Sequence, residues 1–133
     1  MKLTVANYKE DKYYPKVVKA VNDELIHSHF ISAIAVFQRL QLLDKGDVEK
    51  WKKGQVPFLE RVIMCSLGKV SRILQLIRLH THDLNMKPSI TVYQRKAKSG
   101  KIALRFSKSG DKKLEETYAR HFIKAGYKIT RDK

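Results

Sequence analysis

Apolar residues recur three or four positions apart through the first part of the chain, which is the spacing of an amphipathic helix. Four of them predict a helix over about 15–26: Val17, Val18, Val21 and Leu25. Pro15 suits the first turn of that helix, because its missing N–H would have no helical partner there. Ser32 is a suitable N-cap for a second helix, which we expect to end near Leu43. Asp44 is a suitable N-cap for a short third helix over about 47–53.

The longest helical pattern begins at Pro57 and continues to about residue 82. Its apolar positions keep the same spacing for about six turns: Leu59, Val62, Ile63, Leu67, Val70, Ile73, Leu74 and Ile77. We therefore predict one long central helix over about 57–82. A last helix is predicted for about 111–124, because Leu114, Tyr118 and Phe122 share one side of it. Gly126 is placed to end that helix.

Between residues 89 and 106 the spacing changes to alternation, which is typical of strands. Two short runs carry the alternating apolar residues, with a turn rich in Lys, Ser and Gly between them: Ile90, Val92, Ile102, Leu104 and Phe106. This pattern predicts a β-hairpin over about 89–106 whose apolar side chains face the core, while Tyr93, Arg95 and Arg105 face outward. Leu3 and Val5 alternate in the same way and allow a short strand near the start.

Together these elements predict an α+β fold that is mainly helical, with four to five helices and one basic β-hairpin. The length of 133 residues suits a single domain over 1–133, and we expect the tail at about 127–133 to fray. The single cysteine, Cys65, excludes an intrachain disulfide and is typical of a reducing compartment. No apolar run is long enough to cross a membrane, so we expect a cytoplasmic protein with no membrane partner.

Positive charge is concentrated in the second part of the chain. The sequence has 28 Lys and Arg against 13 Asp and Glu, a formal net charge of +15. Residues 1–50 contribute +1 and residues 51–133 contribute +14, and no acid occurs from Lys87 to Lys108. Such a concentration indicates a surface for a polyanion, most often a nucleic acid. The alternative is a lysine-rich face that only keeps the protein soluble.

The predicted hairpin and the polar face of the long helix are therefore the candidate nucleic-acid-binding surface. Basic side chains there would neutralise phosphates, and Tyr93 would stack on an exposed base. The candidate binding residues are Tyr93, Arg95, Lys96, Lys98, Lys101, Arg105, Lys108, Lys69 and Arg72. We hypothesise a small nucleic-acid-binding protein without catalytic activity, and the sequence does not distinguish DNA from RNA.

Two other classes of function stay open. One is a protein-interaction module that binds an acidic partner or associates with itself. The other is a metal-dependent nuclease, for which His80, His82 and Asp83 are the starting residues. The His27/His29 and His80/His82 pairs form an incomplete ligand set for zinc, so we predict no metal and no other cofactor.

The segment Ser107–Gly110 leads into the last predicted helix. Its backbone N–H groups could bind a phosphate at the start of that helix. The competing interpretation is that Ser109 or Asp111 caps the helix with its own side chain.

A motif around Trp51 resembles one found in DNA-binding proteins. The pattern Trp51-x-x-Gly54-x-x-Pro57-x-Leu59, with Val48 three residues earlier, is similar to the segment that follows the recognition helix in Cro/repressor-type helix-turn-helix proteins. The resemblance implies that residues 32–41 form the supporting helix and residues 47–53 the reading helix. The turn between them lacks the glycine that is usual in that family.

The same region, taken with the segment 104–111, also resembles a set of short bacterial proteins without an assigned activity. That second resemblance implies a family but no function.

Overall fold

The structure of the protein is a computed structural model, and it describes residues 3–125. This part of the chain contains five α-helices: α1 (Tyr14–His27), α2 (Ala33–Arg39), α3 (Lys45–Lys52), α4 (Leu67–Asp83) and α5 (Lys112–Ala119). Five short strands accompany them: β1 (Phe30–Ile31), β2 (Lys87–Ile90), β3 (Gln94–Ala97), β4 (Gly100–Ala103) and β5 (Arg120–Ile123). The predicted α+β, mainly helical fold class is confirmed. The predicted tail at 127–133 and Gly126 lie outside the described residues.

The first three helices begin where the sequence predicts them. Pro15 lies in the first turn of α1. The side-chain oxygen of Ser32 accepts a hydrogen bond from the Ala35 N–H at 3.1 Å, and the Asp44 carboxylate accepts one from the Gly46 N–H at 2.9 Å. Helix α2 ends at Arg39 and not near Leu43, because Gln41 adopts a φ of 61° and turns the chain.

The predicted helix over 57–82 is wrong in its first part. Residues Leu59–Val62 form a single 3₁₀ turn, and α4 begins only at Leu67. The Met64 N–H, which would donate to residue 60 in a continuous helix, donates instead to the Leu42 carbonyl at 2.8 Å. The Ser66 side chain then caps α4 by accepting a hydrogen bond from the Lys69 N–H at 3.2 Å.

The last predicted helix, 111–124, ends early, and its second part is a strand. Strand β5 is central in a three-stranded antiparallel sheet with the order β1-β5-β2. Phe122 pairs with Ile31 on one side and with Pro88 on the other. The buried side of this sheet carries Ile31 and Phe122 into the core, and the opposite side carries the exposed Phe30 and Ser89. The strand β2 therefore pairs with β5 and not with β4, and the hairpin is shorter than predicted, covering residues 94–103.

The core lies between the helices and the buried side of the sheet. Its largest fully buried side chains are Trp51, Tyr8, Tyr118, Phe37, Ile31, Leu59, Ile73 and Leu76. The strand predicted at Leu3 and Val5 does not form: the chain turns there and enters a 3₁₀ turn, Tyr8–Glu10. Tyr8 is buried and its hydroxyl donates to the Asp83 carboxylate at the end of α4. Among residues 3–125, no helix has the length and apolar content that a membrane crossing requires.

Candidate nucleic-acid interface

The hairpin formed by β3 and β4 presents lysine on its outer face. Its register pairs Lys96 with Lys101 and Arg95 with Ile102. Directly opposite residues of a two-stranded sheet lie on the same face, and the next pair along lies on the other. Lys96 and Lys101 are both exposed, whereas Arg95 is half-buried against the body of the protein. The turn between the strands adds the exposed Lys98, so three lysines lie together at the tip of the hairpin.

Tyr93 is turned inward, so the prediction that it faces outward for stacking is wrong. Its ring lies 5.7 Å from the Trp51 ring and 5.2 Å from the Phe106 ring. Its hydroxyl lies 2.7 Å from Nε2 of His121, and burial raises the pKa of Tyr93 to about 12. The Leu104 N–H donates to the Tyr93 carbonyl at 2.7 Å, in continuation of the hairpin register.

The prediction that the apolar residues of the first run face the core is also wrong. Ile90 is 51% exposed and Val92 is 68% exposed, although both were predicted to face the core. In the second run Phe106 is buried and Leu104 is half-buried, as predicted, while Ile102 is 38% exposed. Tyr93 has more apolar surface to bury than Val92, and its hydroxyl finds a partner, which favours the observed orientation.

Arg95 lies over the end of α3, which also corrects its predicted outward orientation. A Cβ atom on Gly54 would lie only 2.6 Å from the Arg95 Nε, and Gly54 has the φ of +80° that is common just after a helix. A cation in this position is favoured by the unpaired carbonyl groups at a helix C-terminus. The contact also brings the hairpin beside Lys52 and Lys53, two exposed lysines that the sequence interpretation did not include.

Arg105 is exposed but takes part in folding the segment that follows the hairpin. Its Nε donates to the Ser107 carbonyl at 2.8 Å, and a second guanidinium nitrogen donates to the Lys108 carbonyl. Its own carbonyl accepts a hydrogen bond from Nε1 of Trp51 at 2.7 Å. Gly110, with a φ of +70°, leaves room for this side chain. Part of the donor capacity of Arg105 is thus used inside the protein.

Two carboxylates hold the segment after the hairpin. Glu115 accepts hydrogen bonds from the Phe106 and Ser107 N–H groups, at 2.9 and 2.7 Å, and from the Ser107 hydroxyl. Glu60 accepts from the Lys108 N–H at 3.0 Å and from the Tyr118 hydroxyl at 2.7 Å. Burial and the hydrogen bond to Glu60 raise the pKa of Tyr118 well above its ordinary value. Sequence spacing did not indicate these acids, which are remote along the chain from the groups they bind.

Three of the four N–H groups in the segment 107–110 already have partners inside the protein. The Gly110 N–H donates to the Ser107 hydroxyl at 3.0 Å, and the Asp111 carboxylate caps α5 by accepting from the Leu114 N–H at 3.0 Å. The capping interpretation of Asp111 is therefore confirmed. The Lys108 side chain on this segment is exposed.

Lys69 and Arg72 lie on a different side of α4 from the hairpin segment. The Lys69 Nζ is 5.0 Å from the centroid of the Tyr13 ring, and the Arg72 guanidinium forms an ion pair with the buried Asp11. Lys108 lies beside the other side of α4, which carries Leu67 and the residues one helical turn further along. The structure therefore groups six of the nine candidate residues with the hairpin. The three exceptions are Lys69, Arg72 and the inward-facing Tyr93.

The residues proposed as a starting point for a nuclease do not form a metal site, although the His82 Nδ1 lies 4.0 Å from the Asp83 Oδ1. His80 is 8% exposed, packs edge-on to Tyr14, and its Nε2 has no hydrogen-bond partner among the described residues. Burial lowers the pKa of His80. Asp83 accepts a hydrogen bond from Tyr8, while the His82 side chain is exposed. Within residues 3–125, no group of three or more His, Cys, Asp and Glu side chains could hold a metal ion.

The residues that resemble a helix-turn-helix motif contribute to the core of this fold. Helices α2 and α3 occur in the implied order, and Val48 and Trp51 are both buried. Trp51 contacts the Phe106 ring, with centroids 5.0 Å apart, in addition to Tyr93. The tryptophan thus connects α3 to the base of the hairpin.

Comparisons with protein-family models, with curated proteins and with solved structures found no match to this chain.

Proposed function

We propose that the protein is a small, non-catalytic nucleic-acid-binding protein whose hairpin contacts the phosphate backbone. The observation that carries the proposal is the cross-strand pair Lys96 and Lys101, with Lys98 at the turn between them. Like charges directly opposite each other destabilise a hairpin. Within residues 3–125, no carboxylate forms an ion pair with any of the three lysines. A polyanion would supply the missing negative charge.

Charge near the base of the hairpin extends the proposed surface. Arg95 lies against Gly54, and Lys52 and Lys53 come directly before it in the chain. Lys108 follows the second strand and is exposed. Basic groups on α3, on the hairpin and after it would follow a strand of phosphates, as polyanion-binding surfaces do. Since the proposed partner is an intracellular polymer, we also place the protein in the cytoplasm.

The experiment measures binding of labelled single-stranded DNA, single-stranded RNA and duplex DNA by fluorescence anisotropy. Salt is varied between about 50 and 200 mM, the range over which phosphate contacts lose most of their affinity. The test variant is K96E/K98E/K101E, with K96Q/K98Q/K101Q as the milder form. We expect K96Q/K98Q/K101Q to bind more weakly than the wild type. The plot of log affinity against log salt is expected to become shallower, its slope smaller in magnitude by roughly 2 to 3.

A matched control changes the same number of charges elsewhere. Lys9, Lys16 and Lys45 are exposed and lie outside the hairpin, so K9E/K16E/K45E alters net charge equally. If this control loses as much affinity as the hairpin variant, the hairpin is not the site. If none of the three nucleic acids binds at low salt, the proposed function is wrong.

The second candidate is an interaction module for an acidic protein. Exposed apolar residues near the hairpin favour it, namely Ile90 and Val92 before β3. Polyglutamate serves as the probe for an acidic protein partner, because it binds the lysines through its negative charge only. Tight binding of polyglutamate, combined with weak binding of all nucleic acids at the same salt, would support this second candidate in place of the first.

A further inference from the structure

The side of the three-stranded sheet opposite the core carries a cavity with an aromatic floor. Phe30 pairs with Ile123 and Ser89 pairs with His121, so these four side chains lie on one face. The cavity measures about 470 Å³, and its lining contains three histidines, three hydroxyls and no carboxylate: His27, Ser28, His29, Phe30, Ser89, Thr91, His121 and Ile123. Its volume lies within the range of small-molecule sites.

The aromatic floor is held in a fixed orientation. The rings of Phe30 and His121 stack with centroids 4.9 Å apart and an interplanar angle of 13°. His121 is fixed from the other direction by the Tyr93 hydroxyl. Phe30 remains 41% exposed, so a ligand can reach part of its side chain. Binding a flat ligand there would not require the floor to reorganise, and pre-organisation of this kind favours affinity.

We propose that this cavity takes one unpaired base of a single-stranded nucleic acid, which stacks on Phe30 while the hydroxyls of Ser89 and Thr91 bind its edge. This proposal rests on the proposed function and narrows it to single strands. Bases in a duplex are stacked on one another and cannot reach such a floor, whereas unpaired bases stack readily on aromatic side chains.

The charge around the cavity fits a base that is joined to phosphates. Lys87 lies opposite Ile123 on β2 and is exposed, and Lys124 follows β5 and is exposed as well. The Tyr93 hydroxyl that holds His121 belongs to the segment leading into β3. A single strand with one base in the cavity would therefore pass close to the base of the hairpin.

Photocrosslinking tests the proposed contact directly. A pyrimidine single strand containing 5-iodouracil is irradiated with the full-length protein, and the modified residue is identified by peptide mass spectrometry. We expect the crosslink at Phe30 or His121, because this base analogue reacts with aromatic rings on which it stacks. Crosslinks confined to the hairpin or to α3 would overturn the proposal.

Binding measurements on ring variants give an independent readout. Phe30→Leu keeps an apolar side chain but removes the stacking surface, so we expect single-strand affinity to fall roughly fivefold to a hundredfold. Phe30→Trp restores an aromatic face and is expected to bind as well as the wild type. Phe58→Leu makes the same change at a half-buried position outside the sheet and is expected to leave affinity unchanged.

The outcomes separate this inference from the proposed function. If the hairpin variants lose binding while Phe30→Leu binds normally, the base site is wrong and the hairpin interface stands. If Phe30→Leu loses affinity for single strands and the hairpin variants do not, the base site stands and the hairpin interface is wrong. Equal losses for single strands and duplex DNA in Phe30→Leu would also overturn the base site, since a duplex offers no unpaired base.

Discussion

The Tyr93 hydroxyl lies 2.7 Å from Nε2 of His121, so the base of the hairpin is hydrogen-bonded to the central strand of the sheet. The Trp51 ring packs on the same tyrosine and connects α3 to this point. Three separate parts of the chain therefore meet at one side chain. The orientation of the hairpin relative to the sheet depends on this junction.

Removing the Tyr93 hydroxyl is expected to weaken the junction without creating a cavity. We expect Tyr93→Phe to lower the free energy of unfolding by about 1 kcal/mol, the usual net value of such a hydrogen bond. Urea denaturation measures the change, with Tyr13→Phe at a half-buried position of the N-terminal segment as the control. Equal stability of Tyr93→Phe and the wild type would show that the hydrogen bond contributes nothing.

Gly54 is expected to tolerate a side chain less well than Gly100. Both glycines have positive φ, +80° and +119°, so alanine strains the backbone at either position by roughly 1–2 kcal/mol. At Gly54 the added Cβ also meets the Arg95 side chain, whereas at Gly100 nothing lies within 4 Å. We expect Gly54→Ala to destabilise more than Gly100→Ala, as measured by thermal denaturation.

A double-mutant cycle isolates the contact between Arg95 and Gly54. In an Arg95→Ala background, the Cβ added by Gly54→Ala no longer meets the arginine side chain. The destabilisation by Gly54→Ala is then expected to reflect the backbone strain alone. If the cost of Gly54→Ala is the same with and without Arg95, the arginine does not lie over Gly54 in solution.

Glu115 is expected to matter more for stability than its neighbour Glu116. Glu115→Ala leaves the N–H groups of Phe106 and Ser107 and the Ser107 hydroxyl without their acceptor. We expect a loss of about 2–4 kcal/mol in the free energy of unfolding. Glu116→Ala removes a half-buried carboxylate from the same helix and serves as the matched control. Similar losses for the two variants would contradict the observed network.

Buried histidine makes the protein less stable in acid. Burial lowers the pKa of His80 below its ordinary value of 6.5, and burial lowers that of His121 as well. As the pH falls below about 6.5, these histidines take up protons in the unfolded chain that they resist in the folded protein. Their contribution to stability is therefore expected to be full above that pH and to decrease below it.

The variant His80→Phe tests the more buried of these two histidines. We expect the loss of unfolding free energy between pH 7 and pH 5 to become smaller by up to about 2 kcal/mol, since one histidine no longer takes part. His82→Phe makes the same change at an exposed ring on the same helix and controls for the added phenylalanine. If His80→Phe keeps the wild-type pH dependence, His80 is not protected from protonation in the folded state.

The sequence predicts elements whose signals are local. Ser32, Asp44 and Asp111 cap helices through hydrogen bonds to groups only two or three residues away, and all three are found as predicted. The strand β5 could not be predicted in this way, because Phe122 fits a helical spacing with Tyr118 until its pairing partners are known.

The candidate site shows the same limit. The positions of the hairpin lysines follow from the sequence, but which side of the hairpin faces outward depends on a register between strands. The pairing of Arg95 with Ile102 reverses the predicted face of the first strand. The role of Glu60 in holding Lys108 depends on residues 48 positions apart, for which the sequence has no local signal.

The facing lysines at the tip of the hairpin have a consequence for the free protein. Lys96 and Lys101 repel each other across the two strands, so added salt screens the repulsion and tightens the hairpin itself. The same salt weakens attraction to a polyanion. Under the proposed function, ionic strength therefore acts in opposite directions on the hairpin of the free protein, which it stabilises, and on the binding of a polyanion, which it weakens.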